Sequence, residues 1–165
     1  MSQPLALPLA NSLDTPLREI PALILPALVD TLLMVGIVMA IVVVVGVPLG
    51  VLLHNLAPNG LLERRVAHTT LSWVVSIGRS LPFLVLMAAL VPFTRFVTGT
   101  NIGIPAAVVP MALAGTAFFS RIVENSLRTV APSLVTVAQA SGASPLQIIT
   151  SVQLSEAAPS IIGGL

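Results

Sequence analysis

The sequence predicts an all-α transmembrane protein: three full spans, a helix-turn-helix outside the lipid, and the start of a fourth span. Two observations support this architecture. Of the 165 residues, 56% are hydrophobic and only 8% are charged, and the mean hydropathy is +1.04. Soluble domains carry about 25% charged residues because their surface faces water. This chain has too few charges for such a surface, so we expect it to lie in a membrane.

The composition also excludes several functions. The chain has no Cys and no Lys, and seven Arg against six acidic residues give a net charge of +1. Without Cys there is no disulfide, thiol nucleophile or Cys-ligated zinc, and without Lys there is no Walker loop to bind phosphate. The near-balanced charge argues against nucleic-acid binding. Any ATP hydrolysis is therefore expected on another chain.

We expect an N-terminal lead-in over residues 1–27 and one membrane domain over residues 28–165. No basic residue precedes the apolar stretch at residues 5–9, which argues against a cleaved signal peptide. Helix is expected from about Leu28. The first span, Thr31–Leu53, has 23 residues without a charge, which is enough to cross about 30 Å of hydrocarbon.

Two further spans are expected after a loop. Pro58-Asn59-Gly60 is typical of a turn, and the charged residues 63–65 mark its exit. Residues 66–94 contain Arg79 as their single charge and are interrupted by Gly78 and Pro82, which predicts a broken second span. Residues 96–120 are uncharged, and the third span is expected from about Ile104 to Phe119.

The segment Thr129–Ser155, here called the knuckle, is predicted to stay out of the lipid. Eleven of its 27 residues are Ser, Thr or Gln, and hydrocarbon would leave these polar groups unsatisfied. Gly142 suits a left-handed helix cap, and Ser144 with Gln147 suits a capping box. The helical spacing places Leu146, Ile149 and Gln153 on one face with Ile148 and Val152 beside it, a stripe suited to docking on a partner or on the bilayer surface.

The distribution of Arg predicts the orientation. Arg64, Arg65, Arg121 and Arg128 fall on one side of the membrane, against Arg18 and Arg95 on the other. The positive-inside rule makes the first side cytoplasmic, so we expect a periplasmic N-terminus and a cytoplasmic knuckle. Residues 157–165 begin a fourth span but reach only about 14 Å as a helix. We therefore expect a membrane domain that is incomplete at its C-terminus and a longer natural protein.

Two groups of charged or break-forming residues are candidates for function. Arg79, with Ser80 and Pro82, could line a pathway or pair across helices with Glu124, or Arg79 could extend to the membrane surface and serve packing alone. Arg121, Glu124 and Arg128 have helical spacing and could anchor a loop. The alternative is a solvated pair that contributes about 0.2–0.5 kcal/mol. No metal site is expected, because His54 and His68 lack nearby acidic or Cys partners.

Taken together, these segments resemble the permease subunits of bacterial ABC importers, most closely the methionine branch. The knuckle is similar to the family's cytoplasmic EAA loop in its spacing from Thr136-Val137-Ala138 through Gly142 and Val152 to Leu154-Ser155, although Thr136 replaces the family's Glu and Ser155 its Pro. The other matching segments are Ile77–Phe83, Val91–Arg95, Gly99–Gly103, Arg121–Asn125 and Ala138–Ile149.

The resemblance implies a type I importer permease fold in a bacterial inner membrane, with no enzymatic activity on this chain. It implies a homodimer in membrane lipid, two ATP-binding cassette ATPase subunits that carry ATP and Mg, and a methionine-binding lipoprotein. Family members have five spans, so this chain would stop early in the fourth. Coupling to the ATPase is implied for Thr136, Val137, Ala138, Gly142, Ala143, Leu146, Gln147, Ile149, Val152 and Leu154.

Three alternatives stay open. The transported solute could be another small amino acid or a polar solute. The chain could be a carrier that works without ATP, although its spans contain no ionisable residue except Arg79. An intramembrane serine protease would have to use Ser80 or Ser141, but no later span supplies a His as base.

Overall fold

The computed structural model describes residues 20–100 and 102–165, with side chains from residue 24 onward. Every regular element in these ranges is helical. The helices are α1 (Ile20–Leu56), α2 (Arg65–Ser80), α3 (Phe83–Thr98), α4 (Ile104–Arg128), α5 (Pro132–Ala140), α6 (Pro145–Gln147), a π-helical stretch (Ile148–Gln153) and α7 (Leu154–Gly163). The chain divides into two units, residues 1–36 and 37–165. All tertiary contacts described below lie within the second unit.

Helix α1 begins earlier than the sequence predicted, at Ile20 rather than near Leu28. Pro21 lies in its first turn, where a missing N–H removes no helical hydrogen bond. The sequence therefore predicted too late a start for α1, because Pro21 is compatible with a first helical turn. The part of the expected lead-in before Ile20 lies outside the described residues.

Two helices are long and apolar enough to cross a membrane. They are residues Ile24–Leu56 of α1, with a mean hydropathy of 2.9, and α4, with a mean hydropathy of 1.6. Helices α2 and α3 satisfy the same criterion only as a pair, bent by 111°. The described part of the chain thus has two candidate spans, or three if the bent pair counts as one.

The bend between α2 and α3 lies where the sequence predicted an interruption. Leu81 has an extended backbone with ψ 132°, and Pro82 is the N-cap of α3. The residue before a proline is disfavoured in the helical region, and Pro82 has no N–H to continue the hydrogen-bond ladder. The chain therefore leaves helix α2 at Ser80 and starts a new helix at Phe83.

Helix α1 packs closely on α4 through glycines. A Cβ built on Gly50 would lie 2.5 Å from the Ser120 carbonyl oxygen and 2.6 Å from Val123 Cβ, and one on Gly46 would lie 3.0 Å from the Phe119 ring. Only a residue without a side chain allows the two backbones to approach this far. Gly46 and Gly50 thus allow the close packing of α1 on α4.

Helices α2 and α3 contact successive levels of α4. Arg121 of α4 bonds to Ser72 and Ser76 of α2. Closer to the start of α4, Leu86 of α3 and Ala114 of α4 line one cavity. Nearer still to that start, Val91 and Thr94 of α3 and Ala106 and Pro110 of α4 line another. The pair therefore advances along α4 from its C-terminal half towards its N-terminus.

Candidate functional site

The turn of the knuckle is fixed by two caps. Gly142 follows α5 with a φ of +80°, a left-handed conformation that favours glycine. Ser144 then caps α6: the Gln147 backbone N–H donates to Ser144 Oγ at 3.4 Å, and the Ser144 backbone N–H donates to Gln147 Oε1 at 2.9 Å. Both predicted caps are confirmed.

The apolar stripe of the knuckle, however, does not face a partner as predicted. Ile148, Ile149 and Gln153 are buried within this chain, with exposed fractions of 1%, 9% and 3%. A π-helical stretch spans these positions, and its i to i+5 hydrogen bonds place residues differently from an α-helix. The docking stripe, predicted from a 3.6-residue period, was therefore wrong for Ile148, Ile149 and Gln153.

The exposed members of the predicted coupling set lie instead on α5, on α6 and in the turn between them. Val137 and Leu146 are 64% and 71% exposed, and Thr136, Gly142 and Gln147 are exposed as well. The remaining residues of the predicted coupling set are half-buried: Ala138, Ala143, Val152 and Leu154.

A buried amide pair joins the knuckle to α1. Asn55 Nδ2 donates to Gln153 Oε1 at 3.0 Å and to the Val51 carbonyl at 3.0 Å. Asn55 is 1% exposed, and its Oδ1 has no partner among the described residues. The pair was not foreseen, because its members are 98 positions apart in the sequence. The one available signal was an Asn at the end of an apolar span.

The same end of the molecule has an open cavity of about 370 Å³ beneath the knuckle. Its lining includes His54 in the last turn of α1, Gly60 of the first loop, Arg128 at the end of α4, and Val135 and Thr136 of α5. The first loop, the end of α4 and the knuckle therefore lie at one end of the second unit. No group of three or more His, Asp or Glu that could hold a metal ion occurs in the part of the chain that the structure describes.

The acidic residue Glu124 is buried between two Arg side chains. Arg121 Nη1 donates to Glu124 Oε2 at 2.6 Å, and Arg128 Nη2 donates to Glu124 Oε1 at 2.7 Å. The Glu124 side chain is 1% exposed, so the solvated pair that the sequence allowed as an alternative is wrong. Arg121 also donates to the Ser72 carbonyl at 3.0 Å and to Ser76 Oγ at 3.1 Å. The cluster thus fixes α2 against α4.

Arg79 does not pair with Glu124, because both oxygens of Glu124 are taken by Arg121 and Arg128. Its guanidinium carbon lies instead 5.5 Å from the centroid of the Phe118 ring, within range of a cation–π interaction. Ser80 Oγ donates to the Ile77 carbonyl at 3.0 Å, and Pro82 caps α3. Arg79 and Ser80 thus end α2 and Pro82 precedes α3, so the three residues flank or form the break.

Comparison with known proteins gives a family match over most of the chain. Residues 46–165 match the model of the binding-protein-dependent transport system inner membrane component. This region contains both caps of the knuckle, the Glu124 cluster and the break at Arg79.

Curated relatives agree with this match. The chain is 46% identical over 143 residues to the probable D-methionine transport system permease protein MetI of Vibrio cholerae, covering 87% of this chain and 64% of the relative. It is 44% identical over 119 residues to the D-methionine transport system permease protein MetI of Yersinia pestis, covering 72% of this chain and 55% of the relative. The chain thus spans less than two thirds of the length of these relatives.

Solved structures show the same fold. A structure of the MetNI methionine ABC transporter in an inward-facing conformation aligns with a TM-score of 0.79 at 37% identity, covering 81% of this chain and 62% of that chain. An amino acid ABC transporter aligns with a TM-score of 0.57 at 19% identity over 81% of this chain and 60% of the other, which supports the fold alone. Sequence, relatives and structure together place the chain in the family of inner membrane components of binding-protein-dependent transport systems.

Proposed function

We propose that this chain is the membrane-spanning permease part of an ATP-driven importer for methionine, including its D form. The observation that carries the proposal is the 46% identity over 143 residues to a probable D-methionine transport permease. The fold agreement with a methionine ABC transporter supports it. We place ATP and Mg on a separate ATPase chain, because the matched family is the inner membrane component of a transport system.

The proposed architecture has three full spans, the knuckle as a coupling helix-turn-helix, and the start of a fourth span in α7. Support for counting α2 and α3 as one broken span comes from their contacts. These run along α4 from Arg121, which α2 contacts through Ser72, to Ala106, which borders a cavity with Thr94 of α3. A re-entrant loop would return to the level at which it started.

The proposed orientation places the N-terminus in the periplasm and the knuckle in the cytoplasm. One end of the second unit carries Arg64, Arg65 and Arg128, close to the first loop and the knuckle. With Arg121, about two turns before Arg128 in α4, the count is four Arg against Arg18 and Arg95, which favours this end as cytoplasmic under the positive-inside rule.

The exposed face of the knuckle is the proposed contact for the ATPase. Val137 and Leu146 are large apolar side chains that stand in solvent on adjacent short helices, and such pairs suit a hydrophobic groove on a partner. The buried residues Ile148 and Ile149 serve a different role in this proposal. They hold the knuckle on the helices, so that a displacement at the contact reaches the spans.

The other partners follow from the family role. We propose a second copy of the permease and a substrate-binding lipoprotein on the periplasmic side, with lipid around the assembly. Helices α2 and α3 present exposed apolar side chains, with Trp73 66%, Leu84 76% and Phe96 88% exposed. Lipid or a second copy would cover these side chains.

Growth on D-methionine tests the proposed function. The chain is expressed from its own gene, with the ATPase and lipoprotein genes of its source, in a methionine auxotroph that lacks its own methionine importers. We expect growth on low D-methionine and uptake of labelled methionine that requires ATP. Uptake that persists without the ATPase would indicate an ATP-independent carrier, and uptake of a different amino acid with none of methionine would change the substrate.

Substitution of Gly142 tests the proposed coupling contact separately. A Cβ at Gly142 meets no atom within 4 Å, but its φ is +80°, so a substitution acts through backbone conformation. Val in the left-handed region costs about 1–2 kcal/mol, a factor of about 5–30 in population, whereas Asn tolerates this region. We expect the Gly142→Val variant to insert normally but to take up less methionine per ATP hydrolysed. The matched control is Gly142→Asn, which should keep most of the uptake per ATP.

A further inference from the structure

A cavity of about 310 Å³ opens at the break between α2 and α3. Its lining includes Arg79, Phe83, Leu86, Ala114, Gly115 and Phe118. Small-molecule sites typically have roughly 300–1,000 Å³, so this cavity suits a single amino acid rather than a peptide. Apolar rings and aliphatic groups form most of its wall, and the glycine and alanine leave the space open.

Arg79 is the one charged side chain of this cavity. Its guanidinium lies over the ring of Phe118. Phe118 is ten positions before Arg128 in α4, so this contact is about 15 Å from the C-terminal end of that helix. An Arg at membrane depth is expensive and usually marks a substrate or ion pathway unless it is paired. Among the residues that the structure describes, Arg79 forms no ion pair.

The contact with Phe118 leaves the guanidinium able to bind an anion. The contact is with a single ring, and the guanidinium carries five N–H donors in its plane. In this plane the fork of donors matches a carboxylate with two parallel hydrogen bonds. Helix α3 starts at Phe83, just after the break, and in transporters the N-termini of broken helices point at anionic substrate groups.

We infer that Arg79 binds the carboxylate of the transported amino acid in this cavity. The substrate side chain then lies against Phe83, Leu86 and Phe118. The site selects amino acids that have a free carboxylate and an uncharged, apolar side chain of about the size of methionine. This inference rests on the proposed function and assigns to Arg79 a substrate contact rather than packing alone.

Cysteine labelling tests the site directly. The chain has no native Cys, so an Ala114→Cys variant places a single thiol in the cavity wall. In the assembled transporter, methionine at nine-tenths occupancy should slow labelling by a thiol reagent about tenfold. Methionine methyl ester lacks the carboxylate and should give no protection at the same concentration. An Ala89→Cys variant, on α3 outside the cavity lining, is the control and should label at one rate throughout.

Substitution of Arg79 in the Ala114→Cys background gives the second arm. Loss of a charge-assisted hydrogen bond in Arg79→Gln should raise the methionine concentration for half-protection by about 10- to 100-fold. Arg79→Lys keeps the charge but loses the bidentate geometry, so its methionine concentration for half-protection should lie between that of native Arg79 and that of Arg79→Gln. The comparison of methionine with its ester uses native Arg79, so it decides the inference even if Arg79→Gln fails to assemble.

The outcomes separate the site from the function. Protection by methionine alone supports the site. Equal protection by the ester, or no protection while methionine uptake continues, overturns the carboxylate role of Arg79 and leaves the proposed function standing. Absence of methionine uptake in the same preparation, with no protection, overturns both.

Discussion

At the scale of single residues, the buried Glu124 is the side chain whose loss is expected to reduce stability most. Both of its oxygens accept from an Arg, and it is 1% exposed. Removing one partner of a buried ion pair costs about 3–5 kcal/mol, because the remaining charges are left uncompensated. We expect Glu124→Gln to lower the free energy of unfolding by about this amount, measured by thermal denaturation in detergent through Trp73 fluorescence.

The matched control for this prediction is Glu63→Gln. Glu63 pairs with Arg65 in a bridge whose side chains are 42% and 79% exposed, and exposed pairs contribute about 0–1 kcal/mol. An equal loss of stability in the two variants would mean that the pairs of Glu124 contribute no more than an exposed salt bridge.

Gly50 gives a second prediction at this scale. The Cβ of Gly50→Ala would lie 2.5 Å from the Ser120 carbonyl oxygen and 2.6 Å from Val123 Cβ, so α1 must move away from α4. Overpacking of this kind costs about 1–3 kcal/mol. The control is Gly163→Ala, where a Cβ meets nothing within 4 Å. Detergent melting curves should show a loss of stability for Gly50→Ala alone.

At the scale of elements, the amide pair Asn55–Gln153 joins α1 to the π-helical stretch. Gln153→Leu leaves Asn55 buried without this acceptor, and a buried polar group without a partner costs about 1–3 kcal/mol. Replacing both residues with Leu removes the unsatisfied group, so we expect the double variant to be more stable than the sum of the single losses. Strict additivity in this cycle would show that the two side chains are not coupled.

Sequence reasoning succeeded at this scale where the signal was local. The left-handed Gly142, the Ser144 and Gln147 box and the break at Pro82 each depend on residues within a few positions of one another. It failed for the burial of Ile149, because a π-helical stretch changes which residues share a face. The bonds from Arg121 to Ser72 and Ser76 and from Asn55 to Gln153 join distant positions, which only the packed helices bring together.

At the scale of the whole molecule, labelling from either side of the membrane tests the topology. Single cysteines are placed at Leu62 in the first loop, Leu146 in the knuckle and Ile102 before α4, which are 42%, 71% and 84% exposed. We expect a membrane-impermeant reagent to reach Leu146→Cys and Leu62→Cys only in inside-out vesicles. Ile102→Cys should react only from the periplasm.

The same experiment decides between the two interpretations of the bent pair. If α2 and α3 form a re-entrant loop, the Ile102→Cys variant will react from the same side as Leu62→Cys. Opposite sides require the pair to be one complete crossing. Because α4 then starts in the periplasm and ends beside the first loop, this one position tests both the number of spans and their direction.

The two caps that flank the turn at Gly142 make the knuckle a stiff lever. The caps at Gly142 and Ser144 are separated by one residue, so the angle between α5 and α6 can change little when a force acts on the knuckle. Helix α5 has nine residues and is about 13 Å long, and a tilt of ten degrees would move its far end by roughly 2 Å. In the proposed assembly, a displacement of that size at the contact with the ATPase would be passed to the end of α4 with little loss.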